Sequence, residues 1–143
     1  MSDRISFEVR GLPVPQGNLR AFVHGGVARI SSKSPGPLAA WRHAIAAAAQ
    51  PFAPPALWEG PLAVQFTFRL PQPKSRSGFA GRGKDRHVVL VYPDRRPDLD
   101  KLVRAAFDAL TNVVWKDDCQ VVDLTARKEY GTPGLDVYVN RIA

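Results

Sequence analysis

RRPDLDKLVRAAFDAL (residues 95–110) has the periodicity of a helix that starts near Asp98. Leu99, Leu102, Val103, Ala106, Phe107 and Leu110 make one broad apolar stripe, which must face a sheet, while Asp100, Arg104 and Asp108, four residues apart, share another face. Arg104 lies one turn from Asp100, where it can pair with either acidic neighbour or reach a ligand held by Asp100. Asp98 follows Pro97 and is placed to cap the helix, the usual job of an aspartate there, with the helix dipole adding ~0.3–1 kcal/mol. A cap needs one residue, so Asp100, inside the first turn, requires a second explanation.

The flanking segments supply the sheet. LAVQFTFRL (62–70) alternates strictly, as a half-buried strand does, and ISFEVR (5–10) alternates in the same way. CQVVDLTARKEY (119–130) and LDVYVNRI (135–142) read as two strands joined by GTPG, a good antiparallel turn. AFVHGGVARI (21–30) fits a hairpin turning at Gly25-Gly26, HVVLVY (87–92) a short strand, and LAAWRHAIAAAAQ (38–50) a second helix ended by Pro51. The order of elements predicts one α+β domain over residues 1–143, with a mixed or antiparallel sheet and two main helices. Trp41 and Trp115 are assigned to its core.

Composition narrows the function. The chain has 143 residues, enough for one real core, and no apolar run approaches the ~20 residues of a membrane-spanning helix. Its first residues, MSDRISFEVRG, lack the apolar core of a secretory signal, so a cytoplasmic protein is expected, in a bacterial cell or a phage-infected host once the resemblance below is considered. A single cysteine, Cys119, excludes an internal disulfide and a Cys-rich zinc site, and is expected to be a small buried hydrophobe. His24, His43 and His87 have no spacing that suggests zinc. A formal charge of +7 favours a polyanionic partner.

The acids are concentrated against that background. Of 13 Asp and Glu, seven fall between Asp94 and Asp123, and residues 1–58 hold only Asp3 and Glu8. Asp117 and Asp118 are adjacent, and their repulsion costs energy unless a cation is near. A turn at TNVV (111–114) would return the chain alongside the helix, bringing one of the two toward Asp98 and Asp100. Carboxylates without histidine or cysteine partners match a hard cation such as Mg²⁺. Residues 71–86 form a basic loop, with Lys74, Arg76, Arg82, Lys84 and Arg86 against Asp85 alone. A hard-metal site beside a basic loop suits phosphodiester cleavage, although DxD pairs also occur in phosphatases, nucleotidyltransferases and glycosyltransferases.

PDRRPDLDKLVRAAFDALTNVVWKDDCQVVD (93–123) resembles the core motif of the RusA family of Holliday-junction resolvases, with its DxD, DAL and WxDDxQV elements in order. GLPVPQGNLR (11–20) resembles, more weakly, the family's Pro/Gly-rich segment after the first strand. The resemblance implies a metal-dependent crossover-junction endodeoxyribonuclease that binds four-way or branched DNA as a homodimer and uses Mg²⁺ or Mn²⁺, with no small-molecule cofactor and no membrane. It implies that Asp98, Asp100 and Asp118 are metal-binding catalytic carboxylates, with Asp117 in support. The family's Asn after the second acid and Lys four residues beyond are here Lys101 and Arg104. Arg104 can clamp a phosphate with two hydrogen bonds but is a poor proton donor, and Lys101 lies about one turn away. DNA is expected to meet Lys74, Arg76, Phe79, Arg82, Lys84, Arg86, Arg95, Arg96 and Lys101, with Phe79 either stacking on an unpaired base or an incidental loop aromatic. Two further readings compete: a non-catalytic branched nucleic-acid-binding module, in which the acids are caps and ion-pair partners for Arg95, Arg96 and Arg104, and a metal-dependent phosphohydrolase acting on a small phosphorylated substrate.

Overall fold

The strict alternation of residues 62–70 produces the central strand of the protein: Leu62, Val64, Phe66, Phe68 and Leu70 are buried on one face, while Gln65, Thr67 and Arg69 turn to the other. The computed structural model describes residues 2–17, 19–24, 27–32 and 35–143. The order is β1 (Arg4–Arg10), β2 (Leu19–His24), β3 (Val27–Ser32), α1 (Pro35–Ala49), β4 (Leu62–Leu70), β5 (Phe79–Ala80), β6 (His87–Val88), α2 (Leu99–Leu110), β7 (Val121–Tyr130) and β8 (Gly134–Arg141). The α+β class, the two helices and the mixed sheet follow the sequence reading. The turn expected at Gly25-Gly26 lies outside the described residues, and β2 and β3 pair antiparallel on either side of it.

The main sheet runs β1-β8-β4-β7. β8 is antiparallel to both its neighbours, and β4 is parallel to β7. The hairpin expected from GTPG is therefore corrected: β7 and β8 run in opposite directions but do not pair, because β4 lies between them. Parallel neighbours need a crossover, and α2 provides it, its apolar stripe covering the sheet between the end of β4 and the start of β7. That leaves the other edge of β4 for β8. Residues 131–133 cross two strand spacings of ~4.8 Å each, over the end of β4. There the Gly131 N–H donates to the Leu70 carbonyl at 2.9 Å and Arg69 Nε donates to the Thr132 carbonyl at 2.9 Å. Gly134 is needed at this crossing, since a Cβ would sit 2.6 Å from the Val9 carbonyl oxygen.

One hydrophobic core lies between the sheet and the two helices, which also pack on each other. Trp41 and Trp115 are in it as expected. Trp58, which the sequence left unassigned, joins them: its N–H donates to the Val114 carbonyl at 2.9 Å. The strand expected over residues 87–92 shrinks to His87–Val88, because its partner Phe79–Ala80 is equally short and only the Val89 N–H, donating to the Gly78 carbonyl at 2.9 Å, extends the pairing. Among the described residues no helix is long and apolar enough to cross a membrane.

Candidate active site

The crossover geometry puts the start of α2 at the carboxyl ends of the parallel strands β4 and β7, where α/β units commonly bind ligands. Asp98 holds the N-cap position, with extended backbone, and its carbonyl accepts from the Leu102 N–H at 3.2 Å. Its carboxylate makes no capping hydrogen bond. It is half-exposed and pairs instead with Lys101 Nζ at 3.3 Å. Capping thus explains where Asp98 sits and not what its charge is for. Asp100, Arg104 and Asp108 are the three exposed residues of α2, on the shared face the periodicity predicts. Neither Asp100 nor Arg104 has an ion-pair partner among the described residues.

The chain leaves α2 through a tight turn in which Asn112 is left-handed (φ 70°), a conformation asparagine tolerates, and the Val113 and Val114 N–H groups both donate to the Leu110 carbonyl. It delivers the acidic pair in two different states. Asp117 caps the short 3-10 turn Asp118–Gln120: its carboxylate accepts from the Cys119 N–H at 2.9 Å, and Gln120 Oε1 accepts in return from the Asp117 N–H at 2.9 Å. The Cys119 backbone N–H, with the Cys119 thiol, holds the Asp117 carboxyl below the usual range. The Asp118 carboxyl is pushed up, first by burial and then by the charges of Asp117 and Asp108. Asp117 is accounted for by the turn, and Asp118 is the acid left without an ion-pair partner among the described residues.

Asp118 feels Asp108 rather than the acids at the helix start, and Asp108 lies two turns, ~12 Å, along the axis from Asp100. Among the described residues no three carboxylates, histidines or cysteines converge on one point. The donors are nonetheless all oxygens, which fits a hard divalent cation that keeps part of its water shell and takes only one or two carboxylates directly. Cys119, expected to be buried, is exposed on the same turn, because the capping bond at its own N–H fixes that turn on the surface. Proximity to Asp117, with some burial, pushes its thiol up, so it is a poor nucleophile.

Lys128 went unnoticed in the sequence. Its Nζ donates to the carbonyls of Arg95 at 2.8 Å and Pro97 at 2.9 Å, gripping the segment that delivers Asp98. The available signal was register: alternation along β7 puts Lys128 on the same face as Ala126, toward α2, where a lysine is out of place unless it has acceptors.

The basic loop is partly ordered into the β5–β6 ribbon. A Cβ at Gly81, whose φ is +82°, would clash with the Asp85 carbonyl, so this ribbon turn requires glycine. Lys74, Arg82, Lys84 and Arg86 are exposed, as are Arg95 and Arg96 nearer the helix. Arg76 differs. It pairs with Asp94 and lies over the Tyr130 ring, 5.9 Å from its centroid, which ties the base of the loop to β7. The Phe79 ring is half-exposed and already carries the Arg86 guanidinium at 4.4 Å.

Two comparisons bear on this arrangement. A family model described as endodeoxyribonuclease RusA matches residues 11–140. The chain belongs to the RusA family. A protein of Bacillus subtilis (strain 168) described as uncharacterized protein YqaN is 30% identical to it over 142 residues, covering 99% of each chain. The RusA match takes in α2, the 3-10 turn and β7, hence Asp98, Asp100, Arg104, Asp118 and Lys128 together.

In this RusA chain Lys128→Met should lower the junction-cleavage rate by about 10- to 100-fold, since displacing a reacting group by ~1 Å can cost that much. Junction affinity should stay near wild type, because Lys128 faces the protein. Single-turnover cleavage beside a gel-shift titration checks this. Asp118→Asn should raise the melting temperature of the protein at neutral pH. The folded Asp118 pKa lies above its unfolded value, so its charge disfavours folding at neutral pH and higher, and the advantage of Asn should vanish as pH falls through the folded pKa. Solvent screening limits the rise to a few degrees. Thermal unfolding in EDTA across pH 4 to 8 (about that window) reads the sign.

Proposed function

We propose that this RusA-family protein is a divalent-cation-dependent endonuclease that resolves four-way DNA junctions by paired, symmetric nicks. The observation that carries this reading is the helix start itself: Asp98 at the N-cap with its carboxylate unused for capping, and Asp100 unpaired within the first turn, just after the exposed Arg95 and Arg96. Asp98 and Asp100 would hold the cation, and Asp118, the acid its own turn does not use, would join them as a third carboxylate only through the cation's water shell, since the three do not converge directly. When bound there, Mg²⁺ or Mn²⁺ would lower the pKa of a coordinated water and offset charge on the phosphate. Arg104, on the same face as Asp100, donates to a non-bridging phosphate oxygen and steadies the charge that builds as the phosphorus–oxygen bond breaks. Because an arginine stays protonated, the departing oxygen would take its proton from solvent or from Lys101, whose ammonium sits 3.3 Å from the Asp98 carboxylate.

The exposed Lys74, Arg82, Lys84, Arg86, Arg95 and Arg96 grip the backbone, so binding follows junction shape and weakens with salt. Two opposed strands must be cut at a roughly twofold junction, which calls for a homodimer. The non-catalytic alternative takes the acids as caps and as partners of Arg95, Arg96 and Arg104; Asp117 does cap its turn, but Asp98 and Asp100 make no capping bond and no pair with those arginines among the described residues. The test is cleavage of a synthetic four-way junction with and without Mg²⁺, beside linear duplex of the same sequence. Symmetric nicks confined to the junction and dependent on the cation are expected; a protein that binds branched DNA and never nicks it in Mg²⁺ or Mn²⁺ refutes the proposal.

A further inference from the structure

At the carboxyl ends of β4 and β7, directly before Asp98, lies a cleft of about 360 Å³ lined by Leu12, Leu70, Tyr130, Pro97 and five further prolines, with Arg95 and Arg96 also in its wall. We propose that it receives one unstacked nucleobase of the DNA strand being cut. This inference rests on the endonuclease reading above.

The lining has the character of a base site. Proline carries no N–H, so a wall of prolines is rigid and apolar and leaves no donor to satisfy. Flipped bases are held between apolar and aromatic side chains of this kind. The volume is at the small end of ligand pockets, enough for a single ring system and far too small for a helix. The cleft is also firmly built. Tyr130 is steadied by the Arg76 guanidinium at 5.9 Å, the segment carrying Pro13 and Pro15 is tied to α2 by the Gln16 N–H donating to the Lys101 carbonyl at 2.9 Å, and Lys128 holds the Arg95 and Pro97 carbonyls. Charge complementarity selects the occupant. An apolar ligand would need no arginines, whereas a nucleotide brings a phosphate for Arg95 and Arg96 with its base.

Position gives the cleft its role. Pro97 lines it and Asp98 follows, so a base seated there places its own phosphate at the carboxylates. Bases at a branch point unstack more cheaply than those within a duplex, so the cleft would favour junctions over linear DNA. Phe79, already covered by Arg86, is less suited to this task.

The test places 2-aminopurine, which brightens when unstacked, at the nucleotide beside the mapped scissile phosphate of a four-way junction. Wild-type protein is added in EDTA. Fluorescence should rise several-fold on binding, and Leu12→Asn, an exposed and isosteric change, should cut the rise and slow cleavage in Mg²⁺ by about 5-fold or more. A junction that is bound and cleaved while the probe stays dark, or a Leu12→Asn protein with the full rise, overturns this inference and leaves the endonuclease standing. A protein that neither binds nor cuts junctions removes both.

Discussion

Asp98→Asn and Asp100→Asn should each lower junction cleavage in Mg²⁺ by about 10³-fold or more while leaving junction affinity equal to wild type or slightly tighter. A divalent cation contributes several kcal/mol of charge stabilisation to phosphoryl chemistry, and each 1.36 kcal/mol is tenfold in rate, so losing one carboxylate of a pair removes about that factor. Affinity moves the other way, because either change takes a negative charge from a surface that meets phosphates. Stability should barely alter, since neither carboxylate caps the helix and the Asp98–Lys101 pair is exposed. Asp118→Asn separates two versions of the site. If it is as inactive as the other two, all three acids serve the reaction; if it cleaves at the wild-type rate, the cation depends on the helix-start pair alone. Wild-type cleavage by Asp98→Asn and Asp100→Asn together would sink the site.

Those residues were legible in the sequence because a helix pattern separates faces without any knowledge of tertiary structure. The stripe of Leu102, Val103, Ala106 and Leu110 is buried and the Asp100, Arg104, Asp108 face exposed, as the 3.6-residue period requires. The alternation of β4 was equally plain. Turn chemistry misled, because GTPG fixes the reversal of the chain and not which strand lies beside which; the partner of β8 was settled by α2, whose crossover put β7 on the far edge of β4. Lys128 was missed for a related reason. Its acceptors are carbonyls about thirty residues away, set by the crossover, and carbonyls leave no mark in a sequence. The roles of Asp117 and Asp118 separated only when the Cys119 N–H chose one of them, since adjacent aspartates are identical by composition.

Trp115→Ala should cost about 3–5 kcal/mol of the ~5–15 kcal/mol that a domain has, a large share of its stability. The ring is fully buried, meets Phe107 edge-on at 5.9 Å between centroids, and donates through Nε1 to Thr111 Oγ1 at 3.1 Å. That hydroxyl in turn donates to the Phe107 carbonyl at 2.8 Å, and the Trp115 carbonyl accepts from the Asn112 N–H at 2.7 Å. The side chain thereby braces the end of α2 through Thr111 and Phe107, and the residue's own backbone carbonyl sets the two-residue approach to Asp117. Its loss should damage the site beyond its effect on folding. Phe66→Ala is the fitting comparison, also ~3–5 kcal/mol and fully buried, but on β4 and without a bond to the 111–117 turn. Urea unfolding should show similar losses for the two. With both variants assayed at a temperature where they stay folded, Phe66→Ala should cleave junctions near the wild-type rate per folded molecule, and Trp115→Ala at least tenfold more slowly, by about 1.4 kcal/mol. Equal rates would mean that the turn places Asp118 without help from Trp115, or that Asp118 takes no part in cleavage, and the Asp118→Asn result already distinguishes these.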